Sequence, residues 1–428
     1  MGISHFERDQ DAARHDLLEQ YRSVRMMTEE LASPLAIEDY GLQVMADASP
    51  PKWHLAHTTW FFETFVLNPN GFESFDPAYA YLFNSYYETV GSFWPRDQRG
   101  HLSRPTVEEI YRYRGVVNER MEHFISTSDS GRFSAMMPVI VLGLNHEQQH
   151  QELLLTDIHY NLSVNPLQPA YRNLPDPPRR AAAPARWNTW EGGLVEIGYR
   201  GGDFSFDNEK PTHRHWLEPF KMQNRLVTNR EYREFMDDEG YQTPTLWLSA
   251  GWYRVQSHQW EAPLYWLKRD GEWHQYTLGG GRTMDWEAPV SHVSFFEADA
   301  FARWAGKRLC HEAEWEVAAP KGSLGPANLL ESGWYTTVGA EDSAEQGRLL
   351  QMFGDVWEWT QSSYAAYPGY RPVEGALGEY NGKFMSGQQV LRGGSCLTPR
   401  GHIRDTYRNF FPPEARWQFS GIRLADDG

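Results

Sequence analysis

The stretch Leu144-Asn-His-Glu-Gln-Gln-His-Gln-Glu-Leu-Leu-Leu-Thr-Asp157 holds the residues best suited to chemistry, with His146 and His150 four positions apart. On a helix that spacing places both rings on one face, about one turn apart, where they can converge on a single ion. Leu153 and Asp157 continue the same stripe. Neutral imidazole is a common ligand for zinc, iron and copper. The alternative is two histidines on a solvated or interhelical face. The same residues match H-E-x-x-H, with Glu147 as the general base of a zinc protease. That site wants a third ligand downstream. The long metzincin pattern needs Gly where Leu153 stands, and the sole acid between Asp157 and Glu191 is Asp176, in a proline-rich stretch. The protease reading is the weaker one.

The elements that position this pair are helices. Residues 5 to 31 read as amphipathic, with Ala13, Leu17, Leu18, Tyr21, Val24 and Met27 at helical spacing. Ser49-Pro50-Pro51 opens a second helix, with Ser49 as N-cap and proline in the first turn. It runs through Trp53 to Phe65, carries His54 and His57, and stops near Asn70-Gly71. His57 lies on an apolar face with Trp60, Phe61 and Phe65, where a histidine is ordinarily a core residue. The downstream pair makes His54 or His57 a candidate to complete a metal site. Thr106-x-x-Glu109 is a capping box starting a third helix to about Ile125, and a fourth begins near Ser134. Core-facing histidines on different helices make a bundle with an internal metal site. Between the second and third helices, Tyr86-Tyr87 are either packing residues or phenols aimed at a site. Arg96, Arg99 and Arg104 are either surface groups or carboxylate clamps.

With 428 residues, two or three domains are expected. The net charge of -17, spread rather than blocked, argues against a nucleic-acid backbone as partner. Two cysteines, Cys310 and Cys396, make no disulfide framework and suit a reducing cytoplasm. The charged N-terminus shows no signal peptide, and the longest apolar run, Ala135 to Leu144, is too short for a membrane span.

Residues 163 to 188 are proline-rich and irregular, which places a domain boundary there. Beyond it, Gly, Trp and short alternating segments dominate. Helical insertions are expected at Thr228 to Met236, Phe296 to Trp304 and Glu312 to Ala318. This is the texture of a mixed α+β domain rich in loops.

Several segments carry a resemblance. Val227-Thr-Asn-Arg-Glu-Tyr, Pro289-Val-Ser-His-Val-Ser, Trp304-Ala-Gly-Lys-Arg-Leu, Glu312-Ala-Glu-Trp-Glu, Gly354-Asp-Val-Trp-Glu-Trp359, Leu391-Arg-Gly-Gly-Ser395 and Gly421-Ile-Arg-Leu resemble the formylglycine-generating-enzyme, or sulfatase-modifying-factor, domain, a C-type-lectin-like fold. Ser49-Pro-Pro-Lys-Trp-His-Leu-Ala-His57 and His146-x3-His150-x-Glu152 resemble a DinB-like four-helix bundle. In this order, over nearly the whole chain, they resemble the EgtB family of ergothioneine-biosynthesis sulfoxide synthases. The expected organisation is a multidomain α and α+β chain. The bundle carrying the iron ligands spans 1–165, a proline-rich linker 166–189, and the formylglycine-generating-enzyme-like domain 190–428.

The resemblance implies a cytoplasmic, Fe(II)-dependent, non-haem enzyme that uses O2 to join a cysteine or γ-glutamylcysteine thiol to the imidazole C2 of hercynine as a sulfoxide. It implies His57, His146 and His150 as the iron ligands. Three neutral imidazoles on one side of a metal leave positions for a thiolate, a substrate imidazole and O2 together. Glu152 belongs to the pattern but lies about 200° around the helix from His150, so it is no ligand. By resemblance, Tyr86 and Tyr87 match a catalytic tyrosine pair that supplies a proton or hydrogen atom. Gln149 would hydrogen-bond the substrate imidazole, and Arg96 would hold the thiol donor's carboxylate. Asn409, Phe410 and Phe411 match the substrate-binding segment, where a trimethylammonium lies against an aromatic face, and Arg416 is assigned to substrate binding with them. Members using γ-glutamylcysteine resemble Asn-Trp-Asp here. Phe411 replaces that Asp and cannot pair an ammonium, which favours free cysteine as donor.

Three alternatives stand beside this reading. Formylglycine generation needs a close cysteine pair near the C-terminus, and Cys396 has no neighbour in sequence. Ovothiol-type synthesis would join cysteine to histidine itself, in a family that usually appends a methyltransferase domain, which is not expected after Leu424. A non-catalytic metal- or ligand-binding module is the third.

Overall fold

The computed structural model describes residues 5–322, 324–342 and 347–428, with side chains from Asp11 onward. The first four residues of the expected bundle lie outside this set. The chain divides into two compact units, Met1–Val164 with Glu374–Tyr380, and Asn165–Val373 with Asn381–Gly428.

The first unit is helical: α1 His5–Ala32, α2 Pro51–Phe62, the short α3 Tyr79–Phe83, α4 Val107–Thr127 and α5 Ser130–Ser163. α2 packs on α4 and α5, and α1 on α5 and α4. α2 is apolar nearly all round, and every residue from Pro51 to Phe62 is buried, as a helix surrounded on all sides requires. The capping box of α4 forms as expected: Glu109 N–H donates to Thr106 Oγ1 at 3.2 Å and Thr106 N–H to Glu109 Oε2 at 2.7 Å.

Two boundaries differ from expectation. α5 starts at Ser130 rather than near Ser134, because Asp129 Oδ1 accepts from Arg132 N–H and caps it. Ser49 does not cap α2. Pro50 stands at that position, while Ser49 donates its N–H to Asp157 Oδ2 at 2.7 Å.

Gly143 sets the spacing between α2 and α5. A Cβ there would lie 2.6 Å from the Phe62 ring and 2.8 Å from that of Phe61. Its absence lets the aromatic face of α2 close onto α5 one turn before His146.

The second unit is α+β and loop-rich. β1 Trp187–Trp190, β4 Phe220–Gln223, β13 Leu424–Asp427 and β8 Arg308–Leu309 form one antiparallel sheet, in the order β1-β4-β13-β8. A second sheet, β11-β10-β9-β12, comprises β11 Asn409–Phe411, β10 Gln389–Arg392, β9 Trp357–Ser363 and β12 Ser420–Gly421, with β12 parallel to β9. β2 Gly193–Ile197 pairs with β3 His213–Leu217, and β5 Trp266–Arg269, β6 Glu272–Thr277 and β7 Gly280–Thr283 form a further antiparallel sheet. Four described helices accompany the sheets, α6 Asn229–Asp237, α7 Ser249–His258, α8 Phe295–Trp304 and α9 Glu312–Ala318, and all but α7 lie close to the insertions expected. With little regular secondary structure, buried ion pairs hold loops in place. Arg423 Nη2 meets Glu358 Oε1 at 2.8 Å, and Arg392 Nη2 meets Glu316 Oε2 at 2.7 Å.

The proline-rich connector has no helix or strand between residues 165 and 186, yet it does not hang free. Tyr171 N–H donates to Leu278 O at 2.8 Å and Ala183 N–H to Ala340 O at 2.9 Å, so it is laced onto the second unit. No described helix is long and apolar enough to cross a membrane.

Candidate metal centre

α2 and α5 bring His57, His146 and His150 together, each offering one ligand atom, all within 4.8 Å of one another. His57 Nε2 lies 3.2 Å from His146 Nε2. Ring centroids are 5.0 Å apart for His57–His146, 4.8 Å for His57–His150 and 4.6 Å for His146–His150. His57 and His146 are buried and His150 is half-buried. Burial pushes the His146 imidazole down to about 3. Burial, then the neighbouring His146, holds His57 and His150 well below the ordinary histidine range. All three are therefore neutral at physiological pH, the form that ligates a metal.

The outer nitrogens are arranged accordingly. His57 Nδ1–H donates to Phe83 O at 2.6 Å, leaving its Nε2 lone pair facing His146. His146 Nδ1 is buried with no hydrogen-bond partner. Trp53 stacks on His57 at 4.5 Å and 12°, and Trp60 at 5.6 Å and 16°, which fixes the ring plane. The converging nitrogens of three neutral imidazoles, with no carboxylate among them, fit a cation at their centre.

Glu147 faces the other way. Its carboxylate accepts from Arg25 Nη1 at 2.8 Å, Arg114 Nη2 at 2.5 Å and Thr28 Oγ1 at 2.7 Å. Burial alone would raise its pKa, but the two guanidiniums override that and hold it at about 2. A carboxylate with both oxygens so engaged cannot serve as the general base of a zinc protease. The H-E-x-x-H match is thus resolved into two clustered histidines and a structural glutamate.

Tyr86 and Tyr87 sit on the loop after α3, with ring centroids 4.8 Å apart. Asn84 shapes that loop by donating to the carbonyls of Tyr87 at 3.1 Å and Gly91 at 3.0 Å. Tyr87 is buried against Trp60 and Phe65, while Tyr86 is half-buried. Burial raises the pKa of both phenols above the ordinary tyrosine value, so both keep their protons.

Sequence reasoning missed a third phenol. Tyr380 lies 5.6 Å from His146 and 6.1 Å from Tyr86, between ring centroids. It is carried by Glu374–Tyr380, which packs with the bundle although the sequence places it deep in the second domain. The Glu379 carboxylate ties it down by accepting from the N–H groups of Glu88 and Thr89, each at 3.0 Å. No local signal marks this tyrosine, because its placement depends wholly on a contact distant in sequence.

The remaining candidates lie as follows. Arg96 is exposed and donates to the Asp47 carbonyl. Its neighbour Arg99 is buried, stacks on Trp53 at 3.4 Å, and donates to Ser49 Oγ at 2.9 Å and Ser85 Oγ at 3.1 Å. Gln149 is half-buried on α5 beside His150.

In the second unit, Asn409–Phe411 forms β11, and Phe410 stacks on Tyr364 at 4.1 Å and 10°. Asn409 Oδ1 accepts from Phe410 N–H at 2.9 Å. The Arg416 guanidinium pairs internally with Glu297 at 2.9 Å and lies over Trp260 at 4.2 Å. Tyr367 lies under the Arg408 guanidinium at 3.9 Å. Cys310 and Cys396 are both free and buried.

A helical unit with a buried three-histidine cluster, in one chain with a loop-rich α+β unit, defines a two-part class of metal-site protein. The family model of the sulfatase-modifying factor enzyme 1-like domain matches residues 179–428, which gives the second unit its class. The hercynine oxygenase of Mycolicibacterium smegmatis is 32% identical over 416 residues, covering 89% of this chain and 91% of that protein. The hercynine oxygenase of Mycobacterium tuberculosis is 33% identical over 406 residues, covering 89% and 91%. The formylglycine-generating enzyme of Streptomyces coelicolor is 28% identical over 305 residues, covering 60% of this chain and 91% of its own. The chain belongs to the hercynine oxygenase family and is an oxidoreductase.

Proposed function

We propose that the protein is an iron(II)- and O2-dependent sulfoxide synthase that joins the thiol of cysteine to the imidazole C2 of hercynine. The observation that carries this reading is the convergence of three neutral imidazoles from α2 and α5, two of them buried and the third half-buried. Two other features support it, the phenols beside the cluster and the relatives that span both units. The reaction balances: the thiol S–H and the imidazole C2–H are broken, and a C–S and an S–O bond form. O2 takes up four electrons and ends as the sulfoxide oxygen and water. Bound iron(II) would supply the redox centre at which thiolate, imidazole and O2 meet.

The chain's own groups do the rest. His57, His146 and His150 hold the metal. Tyr380 stands beside His146, Tyr86 beside Tyr380 and Tyr87 beside Trp60, and the raised pKa values of Tyr86 and Tyr87 keep a proton available on those phenol oxygens. Trp53, Trp60 and Phe61 exclude water from the imidazoles. Arg96 and the buried Arg99 supply positive charge for the thiol donor's carboxylate, and Gln149 a hydrogen bond for the substrate imidazole. We retain substrate-binding roles for Asn409, Phe410 and Phe411. Arg416 is better read as structural, since Glu297 takes up its charge.

The test is mass spectrometry of products from hercynine or histidine, each with cysteine, Fe(II) and air. A hercynine–cysteine sulfoxide is expected. A histidine adduct alone would move the assignment to the ovothiol type, and no thiol-dependent O2 uptake would leave a binding module.

A further inference from the structure

His150 is backed by a chain of hydrogen bonds that the metal reading does not use. Its Nδ1 lies 2.9 Å from Nδ1 of His54, one turn before Thr58 on α2. His54 Nε2 lies 3.0 Å from Asp157 Oδ2. That same oxygen accepts the N–H of Ser49 at 2.7 Å. His54 and Asp157 are both buried. Asp157 stands two turns after His150 on the same face of α5, so helical periodicity aligns the chain.

The protons in this chain are fixed from its far end. Ser49 N–H can only donate, so Asp157 Oδ2 is an acceptor. In neutral His54 the carboxylate takes the single N–H at Nε2, which leaves a lone pair on His54 Nδ1. One proton must stand between the two facing Nδ1 atoms, and it belongs to His150. His150 Nε2 is thereby left as a bare lone pair, the form a metal needs.

We propose that Asp157 and His54 act as a positioning relay that selects the ligating tautomer and ring orientation of His150. The inference rests on the three-histidine metal reading and deepens it. His57 has its own, different device, the Phe83 carbonyl. Asp157→Leu keeps the bulk and removes the acceptor, so nothing holds the His54 proton on Nε2 and the tautomer of His150 is no longer set. His54→Ala removes the acceptor altogether. His54→Gln keeps one acceptor and one donor on a shorter side chain.

The experiment is titration of the full-length protein with Co(II) alone, following the visible d–d spectrum and competing with a chelator, alongside thermal melting of the metal-free forms. Loss of an outer-sphere partner typically weakens affinity about 10–100-fold. His54→Ala and Asp157→Leu should each lose affinity in that range and change the Co(II) spectrum, by more than any loss of metal-free stability accounts for. His54→Gln should bind more tightly than His54→Ala. If His54→Ala does not fold, Asp157→Leu carries the comparison.

Wild-type affinity and spectrum in both variants would overturn the relay while leaving the metal site standing. Affinity losses matched by equal losses of metal-free stability, with no recovery in His54→Gln, would overturn it too. A wild-type protein that takes up no Co(II) would overturn the three-histidine reading and the relay together.

Discussion

Glu147→Gln isolates what holds the ligand helix in register. The substitution keeps the side chain's shape and removes its charge, leaving Arg25 and Arg114 buried without their counter-ion. A carboxyl titrating at 4.5 when unfolded and about 2 when folded stabilises the fold by roughly 3 kcal/mol at neutral pH. Breaking a buried ion pair on one side costs a similar 3–5 kcal/mol or so. The sign follows from the depressed value. The contribution is fully present above about pH 4.5 and is lost as pH falls towards 2. Linkage leaves less than half of it by about pH 3, whereas the Gln variant does not titrate. Hydrogen exchange of α5 peptides in metal-free protein reads the opening of this bundle directly. The variant should open more easily by roughly 3 kcal/mol at pH 7, with the gap more than halved at pH 3. Equal protection at pH 7, or an undiminished gap at pH 3, would refute the clamp.

Other substitutions probe the chemistry and the packing. His57→Ala should abolish both iron loading, by metal analysis, and turnover; wild-type-like activity would remove it from the ligand set. Tyr87→Phe and Tyr380→Phe should each lower sulfoxide yield and divert cysteine towards its sulfinic acid, checked by the product ratio from liquid chromatography. Turnover on cysteine should exceed that on γ-glutamylcysteine, and clear preference for the dipeptide would refute the inference drawn from Phe411. Gly143→Ala should cost about 1–3 kcal/mol and weaken metal binding, because the new methyl meets the Phe61 and Phe62 rings; calorimetry and Co(II) titration measure both.

The parts of this site legible in the sequence are those set by short-range periodicity. His146 and His150 follow from a spacing of four, and Thr106 with Glu109 from a spacing of three. His57 entered as a ligand through resemblance, because an apolar face equally describes a core histidine. The rest depends on contacts between distant segments, which periodicity cannot carry. Arg25 on α1 and Arg114 on α4 both turn inward to one glutamate on α5, which no local pattern marks. Ser49 has the composition of a helix cap, but its N–H goes to Asp157. Tyr380 sits in a loop with nothing local to mark it.

That loop bears on how the protein can be made and recombined. The helical unit is contiguous up to Val164, but its last piece, Glu374–Tyr380, is translated roughly two hundred residues later. A nascent bundle leaving the ribosome can close its core long before it acquires that tyrosine. An amino-terminal fragment ending at the connector would keep all three histidines yet lack one of the phenols. Chimeras that swap the second unit between relatives would exchange that phenol along with it.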